Sequence, residues 1–483
     1  MSDIQLSTMA LYFIGAIVVA FVAIFALAWF IDLQRQAPKW ILSLIFPIIV
    51  AAMCISALLT GRNVTAAEFE LAAAAGVDSP MLSWVLRLAT GLILALCFAR
   101  LISVSQKVEL RVKEGKTLFI AFLLYFATNV VLNNIFGTKP MFDQRAWYPL
   151  LIFTTIYFSR NKDKNYSIDA TKISLFLFFL GCCIAAVAVP QMAVQRNYTG
   201  WIPGLDIRLW GIGSGPNSIG PLSVVFLLLV MHKPFANRLL QLLALATGLA
   251  VMVLSQSKTA WLCATICFPI LWWGRMLHAP RAASLHHDYA LRKLSGPLLI
   301  CALGILAVSA AALYNVYSEQ VDLFTRDEEI ATLTGRTYIW TVALETWAEN
   351  PLFGYGASMW DDQVRQLIGM EYAYHAHNQI LQALSVAGVV GLAGLLFYAA
   401  VMFNYALAAN KATRGLSLAL FTIILIRSFT EAPFDLSGIF SGEFIMHLLL
   451  FRLILLKSNQ PYPLHDMHAF PNIPRTRQQL GWG

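Results

Sequence analysis

Long apolar runs separated by short polar segments set the pattern of this chain. Tyr12 to Ile31, Ile41 to Leu59, Ser83 to Val104, Leu118 to Leu132 and Ile173 to Val189 each approach the roughly 17–25 residues that a membrane-spanning helix needs. Runs at 147–159, 217–231, 239–254, 259–274, 297–317, 378–408, 416–434 and 441–456 bring the expected total to about 13 spans. In hydrocarbon only helices and closed barrels satisfy every backbone amide and carbonyl, and the polar–apolar alternation of barrel strands is missing. The expected fold is therefore all-α and polytopic. Residues 1–317 carry helices 1–10, 318–377 form a large outward helical loop, 378–457 carry helices 11–13, and the Pro-punctuated segment 458–483 reads as a disordered tail.

Composition agrees: 58% of residues are hydrophobic and only 12% charged, with a mean hydropathy of +0.66, too little polar surface for a soluble protein. The 34 Lys and Arg residues divide unevenly between alternate connections. Most, including Lys107, Arg111, Lys113, Lys162, Lys164, Arg275 and Arg281, fall on one side, which the positive-inside tendency assigns to the cytoplasm. That places the N-terminus outside and the C-terminus inside, and makes the net charge of +8 mainly a topology signal rather than a nucleic-acid footprint. Asp3 replaces the basic start of a cleavable signal, so the first apolar run is taken as a span. All seven cysteines fall inside expected spans, which excludes a disulfide framework in the outer loops. Cys263 and Cys267 share a helix face, but no His or carboxylate nearby completes a metal site. No internal repeat of the kind that builds many secondary transporters is visible.

Three outward segments carry candidate chemistry. The loop from about 318 to 377 holds ten of the 26 acidic residues. In it Thr334-Gly335-Arg336 opens an amphipathic helix, expected to lie along the membrane surface with Trp340, Ala343, Leu344 and Trp347 on one face and to end at Asn350-Pro351. Arg336 in a first helical turn opposes the helix dipole. Either a bound phosphate or a salt bridge to Asp327, Glu328 or Glu329 would relieve it. Beyond Gly354-Tyr355-Gly356, the run His375-Ala376-His377-Asn378-Gln379 leads into a span, and a histidine there can act as a base or a structural donor. The second segment, 191–220, carries Arg196, Arg208 and the Gly-rich run Gly211 to Asn217. No strand precedes that run and no Lys-Ser/Thr follows, so it is not a nucleotide loop. The third is the tight connection Ser255-Gln256-Ser257-Lys258. Its spacing does not match a Ser-x-x-Lys nucleophile. Arg196, Arg208, Lys258 and Arg336 thus stand on a face otherwise poor in cations, as an anionic ligand there would require. Arg427 and Glu431, four apart in one expected span, read as a self-neutralising pair.

Taken together, Ser255-Gln-Ser-Lys258, Gly335-Arg-Thr-Tyr-Ile-Trp340, Asn350-Pro-Leu-Phe-Gly-Tyr-Gly356, His375-Ala-His-Asn-Gln-Ile-Leu-Gln382 and Gly388-Val-Val-Gly391 resemble the O-antigen ligase and polymerase superfamily. Their form is most like that of the exopolysaccharide polymerases. The resemblance is strong between about residues 205 and 400 and vague over the first 170. It implies a GT-C-type glycosyltransferase of the bacterial inner membrane with its active site on the periplasmic side. The donor it implies is glycan on undecaprenyl diphosphate, transferred to a sugar hydroxyl with inversion, without metal, other cofactor or nucleotide sugar. It assigns His377 and Arg336 the catalytic roles, and Arg208, Lys258, Arg196, Asn217, His375 and Asn378 the binding of diphosphate and glycan. Two departures stand out: Lys258 replaces the arginine of Ser-x-Ser-Arg, losing the planar fork that grips phosphate at two points, and Gly215 replaces the histidine of His-Pro-Asn. The leading expectation is a polysaccharide polymerase joining lipid-linked repeat units, with a flippase, a chain-length regulator and membrane lipid as partners and no nucleic acid. The alternatives are a ligase delivering glycan to lipid A–core, transfer of glycan to protein, and a lipid-glycan transporter without catalysis.

Overall fold

The computed structural model describes residues 41–65, 80–105, 115–141, 144–159, 164–198, 200, 202, 205–277, 336–369 and 373–455. The expected spans at 12–31 and 297–317, the tail at 458–483, Thr334 and the acidic run 327–329 lie outside the described residues. Helices occupy the other expected spans: α1 (Ile45–Leu59), α2 (Pro80–Ser105), α3 (Lys116–Phe136), α4 (Trp147–Phe158), α5 (Lys164–Ala188), α6 (Pro216–His232), α7 (Arg238–Leu254), α8 (Lys258–Leu277), α11 (Gln379–Ala409), α12 (Leu416–Arg427) and α13 (Gly442–Ile454). Between α8 and α11 come α9 (Arg336–Glu349) and the short α10 (Asp362–Leu367). Among the described residues six helices are long and apolar enough to cross a membrane, and α4, α6, α7 and α12 are shorter apolar helices.

The order of burial follows the sequence. α6 is apolar nearly all round and is buried from Ile219 to Val230, packing on α5, α7, α8, α12 and α13; α13 is likewise buried from Phe444 to Ile454. A helix apolar on every side belongs inside a bundle. By contrast α7 carries a lopsided surface: Leu239, Leu242, Leu243 and Leu249 remain exposed, as a lipid-facing stripe would.

Three details depart from the expectations. A two-stranded antiparallel ribbon, β1 (Val194–Arg196) with β2 (Ile207–Leu209), interrupts the all-α pattern, pairing Gln195 with Arg208. The expected span 416–434 stops at Arg427, and 428–441 runs as turns. Pro433 disfavours helical backbone at Ala432, and Arg427 and Glu431 are drawn to other partners. In α9 the buried face is Ile339, Val342 and Ala343, not the one containing Leu344, which is 43% exposed. That face joins Tyr355, Met359, Trp360, Val364, Ala373 and Ala376 in a second, smaller core, with Leu381 and Val386 of α11 packed beneath. α9 is therefore a cap seated on the start of α11 rather than a helix lying only on a membrane surface.

The junction under this cap accounts for the Gly-Tyr-Gly and Gly388 motifs. α11 is broken at Gly388, where φ is +65°. The backbone groups released by the break are taken up by the crossing loop: Tyr355 N–H donates to Ser385 O (2.8 Å), Gly356 N–H to Val386 O (3.0 Å), Val389 N–H to Pro351 O (2.9 Å) and Val390 N–H to Leu352 O (3.1 Å). The loop end of α3 closes the third side through Thr138 and Lys139, whose N–H groups donate to Gly354 O and Tyr355 O. The backbones approach so closely that a Cβ on Gly388 would lie 2.4 Å from the Leu352 carbonyl, and one on Gly354 2.6 Å from Ala387 N. Gly388→Ala therefore meets both a left-handed φ and a backbone clash. It is expected to destabilise the protein by about 1–3 kcal/mol or more, read as a lowered unfolding temperature in detergent relative to Val389→Ala.

Candidate functional site

One carboxylate gathers three of the residues that the sequence singled out. Glu431 stands in the turn after α12, its side chain 9% exposed. Its Oε2 is 3.0 Å from His377 Nδ1 and 3.3 Å from His375 Nε2, and its Oε1 is 3.7 Å from Arg336. Arg336 comes from the first turn of α9, the histidines from the turn that enters α11, and Glu431 from a segment more than 50 residues later. The last member of the cluster is the one that sequence reading missed. Its sequence position reads as part of a span with Arg427 as its partner, and the only signal for it is an ionisable residue where the hydrocarbon should be.

Local structure fixes the histidine turn. Asn378 caps α11, its side chain accepting from Ile380 N–H and Leu381 N–H, so its oxygen is committed to the helix start. Ala376 N–H donates to Gln382 Oε1 (2.9 Å), while Trp340 Nε1 of α9 donates to Ala376 O (3.0 Å). Gln379 N–H donates to Ser428 O and Phe434 N–H to Gln379 Oε1, both at 2.8 Å, stitching the Glu431 turn to the same helix end. Under these restraints His377 sits at φ +47°, a left-handed conformation that a non-glycine residue adopts at a cost of about 1 kcal/mol or more. Such an outlier, over-determined by its surroundings, is common at functional sites.

Hydrogen-bond accounting separates the two histidines. The N–H of His377 donates to His375 Nδ1 (3.1 Å), so that nitrogen is an acceptor, and the other, Nε2, carries a hydrogen toward Glu431. Both nitrogens of His375 are thereby occupied. His377 directs Nδ1–H at the same carboxylate, which leaves Nε2 as its acceptor nitrogen. Burial lowers the His375 pKa, reinforced by the charge of His377 and opposed by Glu431, Asp435 and Glu443, so this ring is held neutral. Burial alone would raise the Glu431 pKa. The hydrogen bond from His377 and the electrostatic influence of the two histidines and Arg427 outweigh it and hold the carboxyl at about 2. An ionised Glu431 with a tautomer-fixed histidine is an arrangement that stabilises imidazolium once Nε2 accepts a proton. The donor atoms of His375, His377 and Glu431 all lie within 4.8 Å of one another, so the trio could also close on a divalent cation.

A second group lies across Asn217, at the N-terminal end of α6. Arg208 donates Nε to Ser255 O (3.1 Å) and Nη2 to Asn217 Oδ1 (3.0 Å), with its guanidinium 4.7 Å from the Tyr198 ring centre. Gln256, at φ +47° in the α7–α8 turn, donates to Leu205 O and Ile207 O and so docks the ribbon on that turn. Lys258 opens α8 beside it. Arg196 is exposed, and its register opposite Ile207 puts it on the other face of the ribbon from Arg208. Arg208, Asn217 and Lys258 are thus brought together, and Arg196 is not.

Arg427 joins the two groups. Fully buried at 1%, it donates Nη1 to Asn217 O (2.7 Å) and pairs through Nη2 with Glu443 at the start of α13. Its carbonyl accepts from Glu431 N–H (2.7 Å). The expected Arg427–Glu431 pair is therefore corrected: Glu443 takes the arginine, and Glu431 is released to Arg336 and the histidines.

The site lies in a mostly helical, polytopic membrane protein. Residues 243–396 match the sequence model of the family described as O-antigen ligase. The chain is also 32% identical over 119 residues to the exopolysaccharide production protein ExoQ of Rhizobium meliloti (strain 1021). That similarity covers 21% of this chain and 26% of the relative, so about a quarter of the relative's length is matched.

Because the folded-state pKa of Glu431 is depressed from 4.5 to about 2, its stabilising contribution is fully present above pH 4.5 and is lost as pH falls through about 2. The stability difference between wild type and Glu431→Gln is expected to shrink as pH falls below about 4.5, as followed by denaturation in detergent. Removing one partner of the buried Arg427–Glu443 pair, as in Arg427→Ala, is expected to cost about 3–5 kcal/mol in the same assay.

Proposed function

We propose that this protein is a polysaccharide polymerase, a GT-C-type glycosyltransferase that moves glycan from undecaprenyl diphosphate onto a sugar hydroxyl of another lipid-linked repeat unit. The observation that carries this reading is the His377–Glu431–Arg336 cluster, set beside the Arg208–Asn217 pair at the same end of the helix bundle. Diphosphate is already a good leaving group, so the chemistry asks for two things. Cations must stabilise charge as the anomeric C–O bond breaks, and a base must take the proton of the attacking hydroxyl.

In this mechanism His377 Nε2 accepts that proton while Glu431 steadies the imidazolium formed. His375 remains neutral and holds the turn. Arg336 lies near enough to Glu431 to be shared between the carboxylate and a phosphate, and Arg208 and Lys258 supply the remaining positive charge for the diphosphate. Direct displacement at the anomeric carbon inverts its configuration. The positive-inside distribution supports a bacterial inner-membrane location with this end of the bundle in the periplasm, the N-terminus outside and the C-terminus inside. A flippase and a chain-length regulator are the partners such a reaction would need.

The family description favours one other reading, a ligase that delivers the glycan to lipid A–core by the same chemistry. The test is the purified protein in lipid with undecaprenyl-diphosphate-linked repeat units. A ladder of products is expected without added nucleotide sugar and undiminished by EDTA. A product that forms only after lipid A–core is added would replace polymerase by ligase, and labelled lipid crossing the bilayer without product would replace both by transport. His377→Ala and Glu431→Gln are each expected to lower the rate by about 10²–10⁴-fold. His375→Ala is expected to lose about tenfold or less. Loss of activity in EDTA, restored by a divalent cation, would instead assign the trio to a metal.

A further inference from the structure

Arg62 lies in the turn after α1, in the part of the sequence where the family resemblance is vague, and it reads there as one more cation of an outer loop. In the structure its guanidinium is enclosed by backbone carbonyls. Nη1 donates to Gly213 O (2.6 Å), Nη2 to Gly211 O (2.6 Å) and to Trp210 O (3.5 Å), and Nε to Met192 O (3.3 Å). The guanidinium carbon also lies 5.7 Å from the centre of the Trp210 ring. The turn itself is tied down, since Val64 N–H donates to Gln191 O at 2.8 Å.

The carbonyls that Arg62 gathers belong to the segment that joins Arg208 to Asn217. The start of that segment is anchored by Trp210 N–H and Gly211 N–H, which both donate to Ala193 O. Its middle is wedged, because Gly211 sits at φ +58° and a Cβ there would lie 2.5 Å from Cys182 Sγ. Its end is held by Arg427 on the Asn217 carbonyl and by Arg208 on the Asn217 side chain. Three carbonyls of one short segment turned toward a single planar cation fix the orientation of their peptide planes. A lysine could not do the same, having one nitrogen in place of a fork of donors. Burial lowers the Arg62 pKa to about 10, which leaves the group charged at neutral pH. Among the described residues no carboxylate pairs with it.

We propose that Arg62 is a positioning residue for the diphosphate of the lipid-linked donor: it sets the Trp210–Asn217 segment so that Arg208 and Asn217 face the phosphates together. This rests on the functional reading above. The experiment uses the full chain in nanodiscs with undecaprenyl diphosphate as the probe, and compares wild type, Arg62→Lys, Asn217→Ala and the double variant. Arg62→Lys should retain a cooperative unfolding transition while the amides of 210–217 exchange hydrogen faster. It should bind undecaprenyl diphosphate about tenfold more weakly and raise the donor KM with little change in kcat. In the Asn217→Ala background the same substitution should add little, because the two act as one unit.

A folded Arg62→Lys that binds the probe with wild-type affinity would overturn the proposal, as would full additivity with Asn217→Ala. If Arg62→Lys does not fold, Arg62→Gln is put through the same comparison with the same two deciding outcomes. Wild type failing to bind undecaprenyl diphosphate would sink the functional reading instead. Hydrogen exchange at 210–217 would then still decide whether Arg62 orders the segment, and exchange unchanged in the variant would overturn that part too.

Discussion

Burying an ionised carboxylate costs several kcal/mol unless charge and hydrogen bonds are brought to it. At Glu431 that requirement organises the polar end of the molecule. The residue is only 9% exposed, and meeting its demand draws in α9 through Arg336 and the α11 entry turn through His375 and His377. It also fixes how the 428–441 turn must run. The left-handed backbone at His377 and the capping of α11 by Asn378 serve the same end, since they point both rings at one oxygen. Satisfying the carboxylate also settles which histidine has a nitrogen to offer. A buried charge thus converts three remote pieces of chain into one geometry.

Arginines perform the complementary task on backbone. Arg62, Arg208 and Arg427 together hold the stretch from Trp210 to Asn217, each using the planar fork to reach carbonyl oxygens on segments distant in sequence. The irregular stretch is thereby stiffened where an ordinary loop would rely on solvent. Burial lowers the Arg62 pKa only to about 10, so that cation keeps its charge while doing so. Structure and electrostatics are supplied by the same side chains, so separating them requires the conservative variant as well as the deletion.

The apolar part imposes the opposite economy. Within it the backbone groups of each helix are satisfied along that helix, and the break at Gly388 is tolerated because residues 351–356 supply the missing partners. That exchange locks the cap of α9 and α10 onto α11, so the position of Arg336 depends on a glycine inside a helix more than 50 residues away. Packing against the small core of Ile339, Val342, Ala343 and Met359 then holds the cap in place.

The hydrophobic pattern alone determined that this is a helical membrane protein and where most of its helices lie, because desolvation is a property of runs of residues and is written along the chain. Motifs whose order carries a family resemblance single out His377, Arg336, Arg208 and Asn217. What neither could determine was partnership. Arg427 and Glu431 stand four apart and look paired, but the helix ends between them, and each finds a stronger partner elsewhere: Glu443 for the one, two histidines and an arginine for the other. Arg196 and Arg208 look equivalent until the ribbon register turns them to opposite faces. Arg62 carries no motif at all, and its role is visible only once Met192, Trp210, Gly211 and Gly213 are folded around it. Burial of apolar runs sums locally, whereas a charge is satisfied by whatever the fold brings within about 3 Å of it; the first can be read in one dimension and the second only in three.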